Sequence, residues 1–148
     1  MIEFKAEHLK GFEIQDNQKS EMQIYLDHSD YPEILQGSGY GYSLFDGNTL
    51  IACGGLAHQS NSRALAWMLI SRHVQPKHFV TITKNVVREI KQSSYPRIEA
   101  IVKDGFYQAH RFIKLLGFTC ETPEGMVNWF NSGETAYLYS VIKCQAQK

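Results

Sequence analysis

An apolar segment followed at once by a helix that begins at a proline is the feature that most constrains the fold. Residues 63–71 (RALAWMLIS) are mostly apolar, which is typical of a strand buried on both faces of a sheet. Pro76 suits the first turn of a helix, and apolar residues then recur at helical spacing to about Ser93. Residues 98–102 are again mostly apolar. The order strand, helix, strand predicts two parallel strands joined by a crossover helix.

Upstream of this unit, the sequence predicts a meander of antiparallel strands. Residues 40–44 (YGYSL) alternate in polarity, and residues 46–48 (DGN) favour a hairpin because Gly and Asn tolerate positive φ. The return strand should cover residues 49–57, with a polar turn at residues 59–62. A meander followed by a strand–helix–strand unit predicts an α/β fold: a mixed, mostly antiparallel central sheet with helices on both faces.

The N-terminal residues give weaker signals. Residues 2–6 alternate apolar and polar side chains and predict a first strand. Residues 20–23 (SEMQ) resemble a capping box, which places a helix over about residues 20–28. Tyr31-Pro32 favours extended or turn structure, because proline disfavours the helical conformation in the residue before it.

The C-terminal residues predict a second helix and a final hairpin. A helix over residues 106–116 would end at Gly117. Four apolar side chains share one face of this helix: Ala109, Phe112, Ile113 and Leu116. Beyond it, strands over residues 119–129 and 135–143 would be joined by a turn at residues 131–133 (NSG).

Length and charge limit the classes of function. The 148 residues fit a single domain over residues 1–148. Fifteen Lys and Arg balance fifteen Asp and Glu, which leaves no electrostatic footprint for nucleic acid or an anionic membrane. The sequence shows neither an apolar run long enough to span a bilayer nor a signal-peptide core, so we expect a cytoplasmic protein.

Three cysteines, Cys53, Cys120 and Cys144, form an odd and widely spaced set. This spacing argues against a disulfide framework and a zinc motif, so we expect reduced thiols and no metal site. Cys53 precedes Gly54-Gly55 and would be either a nucleophile or a small buried hydrophobe. We favour the buried hydrophobe, because the sequence places no histidine to activate the thiol. The two glycines predict a bulge or a close backbone approach.

Two segments carry a resemblance to known families. Residues 109–118 (AHRFIKLLGF), together with the predicted order of elements, are similar to the GNAT N-acyltransferase superfamily. That resemblance implies acetyl-CoA as cofactor and an amine or protein acceptor. Residues 67–71 (WMLIS) followed by residues 111–117 (RFIKLLG) more closely resemble the internal virion protein A family of short-tailed phages, a GNAT-like group. This second resemblance implies a phage-encoded protein of the host cytoplasm or virion, with virion or host proteins as partners.

The GNAT resemblance places the cofactor between the long strand and the next helix. The family holds the pyrophosphate with an Arg/Gln-x-x-Gly-x-Gly/Ala loop, whereas residues 72–78 here read RHVQPKH. The first position matches, but Gln75 replaces a glycine and a lysine replaces the other. The resemblance therefore implies a site built from side chains: Arg72, Lys77, His78 and Arg111. It also implies that backbone N–H groups polarise the thioester carbonyl: those of Leu69, Ile70 and Ser71. A solvated, basic first turn of a helix is the alternative.

The same resemblance leaves the catalytic groups incomplete. The position of the family's acidic tyrosine holds Ile113, so Tyr107 is the candidate acid and would act only from a different pose. The long strand lacks the usual carboxylate, which makes Glu99 on the next strand the candidate base. The alternative for Glu99 is that it points to solvent or pairs with Arg97 or Lys103.

These departures leave two classes of function open. One is an N-acetyltransferase that uses acetyl-CoA. The other is a non-catalytic phage protein for virion assembly, genome ejection or host binding, which retains the scaffold while its catalytic parts have decayed. His110, the imidazole on the predicted second helix, fits a surface or capping role better than catalysis.

Overall fold

The computed structural model describes residues 1–26 and 30–143. Within these residues the strands are β1 (Ile2–Glu3), β2 (Gly39–Asp46), β3 (Thr49–Ser60), β4 (Arg63–Ile70), β5 (Arg97–Lys103), β6 (Thr119–Cys120) and β7 (Ala136–Ile142). The helices are α1 (Asp16–Leu26), α2 (Tyr31–Gly37), α3 (Pro76–Gln92) and α4 (Tyr107–Leu115), with a 3-10 turn at Ala6–Leu9.

The strands form one seven-stranded sheet in the order β1-β2-β3-β4-β5-β7-β6. β4 and β5 run parallel, with Arg63–Leu65 in register with Arg97–Glu99, while β1–β2, β2–β3, β5–β7 and β6–β7 are antiparallel. The prediction of a mixed, mostly antiparallel sheet with β4 at its centre is therefore confirmed. The crossover helix α3 begins at Pro76 as predicted.

The chain divides into two compact units. The first unit comprises residues 1–58 and 66–84. Its core is formed by seven buried residues: Phe4, Leu9, Ile14, Leu35, Leu50, Cys53 and Leu69. Trp67 packs edge-on against Phe4, with ring centroids 5.3 Å apart. Burial raises the pKa of the Cys53 thiol, so this group behaves as the small hydrophobe expected from the sequence.

The β2–β3 hairpin of the first unit follows the predicted pattern. Its turn is at Gly47, which has φ +61°, and β3 extends three residues beyond the predicted end at residue 57. The two strands approach closely at Gly55, where a Cβ atom would collide with the carbonyl oxygen of Tyr40. The close backbone approach expected at the glycine pair is confirmed.

Three N-terminal predictions need correction. The strand predicted over residues 2–6 ends at Glu3, because the chain enters the 3-10 turn at Ala6. α1 begins at Asp16, four residues before the predicted start, and residues 27–28 of that prediction lie outside the described residues. Tyr31-Pro32 opens a helix instead of a turn. Proline costs nothing there, because the N–H groups of a first helical turn lack intrahelical partners anyway.

The second unit comprises residues 59–65 and 85–143 of the described chain. β5 and β7 pair along seven residues each, from Arg97↔Ile142 to Lys103↔Ala136. Ile98, Glu99, Ala100 and Val102 of β5 are buried, as is Ile113 of α4. The predicted apolar face of α4 is only partly buried, because Ala109, Phe112 and Leu116 remain half-buried.

The long strand predicted over residues 119–129 is wrong. β6 ends at Cys120, and residues 121–135 form a loop that pairs with β7 at isolated points, among them the bridge between Met126 and Ala136. Gly125 (φ +80°) and Asn128 (φ +57°) adopt left-handed conformations, which a strand does not contain.

The contact at Gly55 gives a stability prediction. Gly55→Ala should lower the free energy of unfolding by about 1–3 kcal/mol, the range for overpacked sites, because the added methyl meets backbone rather than a mobile side chain. Urea unfolding of the variant measures the change.

The matched control is Gly37→Ala at the end of α2, where a Cβ atom would meet nothing within 4 Å. This substitution should leave stability unchanged or raise it slightly, because alanine is the better helix former. Equal stability of the two variants would show that the approach at Gly55 is not tight.

Candidate functional site

The end of β4 is paired with a segment that precedes α1. Ile14 forms an antiparallel bridge with Ser71. The N–H of Gln15 donates to the Ile70 carbonyl at 2.8 Å, and the N–H of Arg72 donates to the Glu13 carbonyl at 2.9 Å. This segment therefore acts as a short extra strand against the last residues of β4.

Gln18 continues this pairing with its side chain. The amide is buried, with 9% of the residue exposed. Its Nε2 donates to the Met68 carbonyl at 2.9 Å, and its Oε1 accepts the N–H of Ile70 at 3.0 Å. Gln15 supports the arrangement by donating from its own Nε2 to Gln18 Oε1 at 3.0 Å. One carboxamide thus binds both the Met68 carbonyl and the Ile70 N–H of the strand. We call these two backbone groups the β4 edge groups.

The backbone N–H groups that follow are also satisfied within the chain. The N–H of Ser71 donates to the Ile51 carbonyl at 2.8 Å. The N–H groups of His73 and Val74 donate to the hydroxyl and the carbonyl of Ser71, at 3.0 and 3.2 Å. The loop after β4 therefore differs from an open nest of N–H groups, in which the donors point outward to an anion.

The His78 side chain forms hydrogen bonds at the start of α3. Its Nδ1 accepts the N–H of Gln75 at 2.9 Å, and its Nε2 lies 2.9 Å from Asp46 Oδ2. Because Nδ1 is an acceptor here, the network assigns a neutral ring that donates from Nε2 to Asp46. His78 is 8% exposed, so in this arrangement it offers neither charge nor a spare N–H to a ligand. The sequence-based expectation that it supplies charge to a phosphate is not supported by these contacts.

The other two cations of this loop also lie beside carboxylates. Arg72 Nη1 is 3.0 Å from Glu13 Oε2, and Lys77 Nζ is 3.5 Å from Asp46 Oδ2. Both cationic side chains are more than half exposed. The hydrogen bond from His78, with the charge of Lys77, holds the pKa of Asp46 below its ordinary value. These exposed ion pairs are weak and are screened by salt.

Glu99 is the buried carboxylate of the second unit, with 8% of the residue exposed. Arg97 donates to Glu99 Oε2 from Nε at 3.1 Å and from Nη2 at 2.8 Å. Arg63 Nη1 lies 3.4 Å from Oε1. The pairing with Arg97 that the sequence suggested as an alternative is confirmed, whereas exposure to solvent and pairing with Lys103 are not, since Lys103 lies beside Glu134 at 3.7 Å.

Arg97 links Glu99 to a second carboxylate. Its Nη2 also contacts Glu121, and the hydrogen bond with Glu99 raises the pKa of the Arg97 guanidinium. Hydrogen bonds from Ser140 and Arg97 lower the pKa of Glu121. Glu99 is thus held as a charged, hydrogen-bonded group, as a buried carboxylate must be.

Glu99 lines a cavity of about 230 Å³. The polar lining residues are Gln59, Arg63 and Glu99. The apolar and aromatic lining residues are Leu65, Ile101, Met126, Trp129 and Leu138. An apolar pocket with a few converging polar groups is the usual form of a small-molecule site.

The remaining predicted site residues lie on α4. Tyr107 is 75% exposed in the first turn and is not among the residues that line the cavity. Arg111 is exposed on the same helix, and its predicted contact with the pyrophosphate stays a prediction. His110 has a structural role: its Nε2 donates to the Lys103 carbonyl at 3.0 Å, so its Nδ1 accepts the hydroxyl of Tyr139 at 2.7 Å. Burial raises the pKa of Tyr139.

Sequence reasoning missed three residues of these sites: Gln18, Arg63 and Trp129. A glutamine in the first turns of a helix carries no signal that its amide will complete a distant strand. Arg63 was counted as the start of a buried strand, and Trp129 as part of another strand. Only the tertiary arrangement brings Arg63 beside Glu99 and Trp129 to the same cavity.

Comparisons with solved structures identify the fold. Ard1 from Thermoplasma volcanium is 13% identical, with 97% of this chain and 96% of that chain covered, at a TM-score of 0.67. The F149G mutant of SpeG spermidine N-acetyltransferase from Vibrio cholerae is 13% identical, with 95% and 91% covered, at 0.68. A GNAT-family acetyltransferase from Bacillus anthracis is 11% identical, with 94% and 91% covered, at 0.65. The chain therefore has the fold of the GNAT acetyltransferases.

Two other comparisons give no match: no family model matches the chain, and no curated protein does. Within residues 1–26 and 30–143, no three His, Cys, Asp or Glu side chains are grouped so as to hold a metal ion. No helix in the same part of the chain is long and apolar enough to cross a membrane.

The contact between Asp46 and His78 gives a pH prediction. Because the folded-state pKa of Asp46 is depressed, its stabilising contribution is present above the pKa of an unfolded aspartate and is lost as pH falls through the folded value. Asp46→Asn should therefore lower the melting temperature at neutral pH. The difference from the parent chain should shrink as pH falls through the depressed pKa of Asp46.

Asp104→Asn is the control, because Asp104, like Asp46, is an exposed aspartate at the end of a strand. Each variant removes one exposed carboxylate, so the comparison separates the contact of Asp46 with His78 from the general effect of losing a surface charge. A deficit of Asp46→Asn that persists unchanged at low pH would contradict the assignment.

Proposed function

We propose that this chain is an N-acyltransferase-like protein that takes an acyl group, acetyl first, from acyl-CoA and transfers it to an amine. The observation that carries the proposal is the buried, charged Glu99 carboxylate in a cavity of a GNAT fold. A fold alone does not fix a function. Two separate groups of residues support the proposal by their chemistry: those around the Glu99 cavity and those at the end of β4.

The cavity supplies a base for the acceptor. An amine is protonated at neutral pH and must lose a proton before it attacks a carbonyl carbon. Arg97 occupies Oε2 of Glu99, so Oε1 is the oxygen that faces an incoming amine and takes its proton, directly or through one water. Arg63, the neighbour of Oε1 at 3.4 Å, makes a longer contact that a ligand group can replace.

The end of β4 has the chemistry to hold the donor. The Met68 carbonyl and the Ile70 N–H, the β4 edge groups, here bind the Gln18 carboxamide. The pantetheine arm of CoA carries two secondary amides, each with a carbonyl acceptor and an N–H donor, so Gln18 stands in for amide groups of the donor. Exposed Arg72 and Lys77 would face the pyrophosphate, with Leu69 and Ser71 as buried neighbours of the edge groups. Donor binding therefore requires the Gln18 side chain to leave.

Acyl-CoA supplies a thioester, whose acyl carbon bonds to the amine nitrogen while the carbon–sulfur bond breaks. A thiol is acidic enough that its thiolate leaves without strong proton donation, since an ordinary thiol has a pKa of about 8.5. The absence of a tyrosine at Ile113 is therefore tolerable. Exposed Tyr107 or solvent protonates the thiolate.

The second candidate function is non-catalytic. The observation in its favour is that the N–H groups of Ile70, Ser71, His73, Val74 and Gln75 all bind acceptors within the chain. A scaffold of this kind would be a phage-encoded internal virion, assembly or host-binding protein, located in the host cytoplasm or the virion. It would bind no acetyl-CoA.

Titration calorimetry with acetyl-CoA distinguishes the acyltransferase from the non-catalytic function. We expect weak binding that falls as salt rises, because exposed side-chain charges are screened by counterions. The double substitution Arg72→Ala and Lys77→Ala should abolish binding and leave the melting temperature nearly unchanged, since both side chains are exposed.

The matched control removes two other exposed cations of α3, by Lys84→Ala and Arg88→Ala. It should bind acetyl-CoA like the parent chain. Binding that both double variants retain would place the donor elsewhere. No binding by the parent chain at millimolar acetyl-CoA would favour the non-catalytic function.

A further inference from the structure

The mouth of the Glu99 cavity is a loop with well-defined backbone pairing. Met126 and Ala136 exchange two backbone hydrogen bonds, at 2.8 and 3.1 Å. The hydroxyl of Thr122 accepts the N–H of Leu138 at 2.9 Å. Trp129 follows Asn128, whose φ of +57° turns the chain, and is 51% exposed although it lines the cavity. The loop thus holds a large aromatic side chain at an apolar opening, where it covers whatever enters.

The lining of the cavity presents two opposite charges side by side. Glu99 Oε1 and Arg63 Nη1 are 3.4 Å apart, and the Arg63 side chain is 48% exposed. A guanidinium has five N–H donors, and Glu99 is the one ion-pair partner recorded for Arg63 in the part of the chain described. Arg97 keeps Glu99 charged and in place when Arg63 turns toward a ligand.

We propose that this cavity selects free apolar α-amino acids, with the carboxylate of the ligand on Arg63, its amine on Glu99 Oε1 and its side chain against Leu65, Ile101 and Leu138 under Trp129. An α-amino acid carries its ammonium and carboxylate groups on the same carbon, which matches the paired charges of Arg63 and Glu99. The inference rests on the proposed function and specifies its acceptor.

Size and charge both favour this class of ligand. The cavity, at about 230 Å³, falls below the roughly 300–1,000 Å³ of drug-sized sites, so a single amino acid fits better than a peptide. A polyamine would need several carboxylates. The lining includes one carboxylate, and the guanidinium groups of Arg63 and Arg97 both pair with it. The local charge is therefore unfavourable for a polycation.

The test measures binding without any acyl donor, so it does not depend on transfer activity. The chain has two tryptophans, so its NMR spectrum contains two indole N–H signals, and Trp129→Phe identifies the one at the cavity. L-leucine, L-leucinamide and spermidine are titrated separately while this signal is followed. Leucine should shift the signal until the site is saturated. Leucinamide and spermidine lack the carboxylate that would accept an ionic hydrogen bond from Arg63, so both should bind at least about tenfold more weakly.

Arg63→Gln isolates the carboxylate contact. This variant should bind leucine only as weakly as the parent chain binds leucinamide, and it should bind leucinamide unchanged, which also shows that the cavity is intact. Arg88→Gln is the control, because Arg88 is an exposed arginine on α3 that pairs with Glu89. This variant should bind leucine like the parent chain.

Three results would overturn the inference: leucinamide binding as tightly as leucine, which indicates a peptide-type amine; tighter binding of spermidine, which indicates a polyamine; or no shift with any ligand. If acetyl-CoA binds but leucine does not, this inference alone fails. If leucine binds but acetyl-CoA does not, the cavity is a binding site for amino acids and the proposed transfer function fails.

Discussion

The end of β4 has backbone N–H and carbonyl groups that β5 does not pair, because the β4–β5 pairing covers Arg63–Leu65. The surrounding structure depends on satisfying these groups. A buried N–H or carbonyl without a partner costs about 1–3 kcal/mol, so the chain must supply partners there. Residues 13–15 and the Gln18 side chain do so, and this pairing fixes where α1 begins. Under the proposed function the same groups would bind an amide of the donor, so a stability requirement and the proposed binding site would share the same atoms.

The buried charge of Glu99 imposes a second constraint. A carboxylate removed from water must be paired, and Arg97 meets this need with two hydrogen bonds to one oxygen. The other oxygen faces Arg63 across a longer gap. In the proposed function, this unequal pairing would leave Oε1 for proton transfer, while Arg97 compensates the charge.

The sequence predicted the parts of the fold that depend on local signals. The buried strand, the helix that begins at Pro76 and the hairpin at Gly47 each rest on residues close together in the chain. The strand predicted over residues 119–129 was wrong, because Gly125 and Asn128 adopt left-handed conformations there, and Met126 and Trp129 line the cavity. The candidate site was only half predicted. Glu99 was found by its type, whereas Gln18 and Arg63 act through contacts with residues far along the chain.

The affinity of Gln18→Ala for acetyl-CoA tests most directly the claim that this side chain stands in for the donor. Removing a buried, hydrogen-bonded amide should destabilise the fold by about 1–3 kcal/mol. The account nevertheless predicts tighter acetyl-CoA binding, by about tenfold, because the β4 edge groups no longer have to give up a partner. Calorimetry on the parent chain and the variant gives the comparison. Equal or weaker binding by the variant would contradict the account.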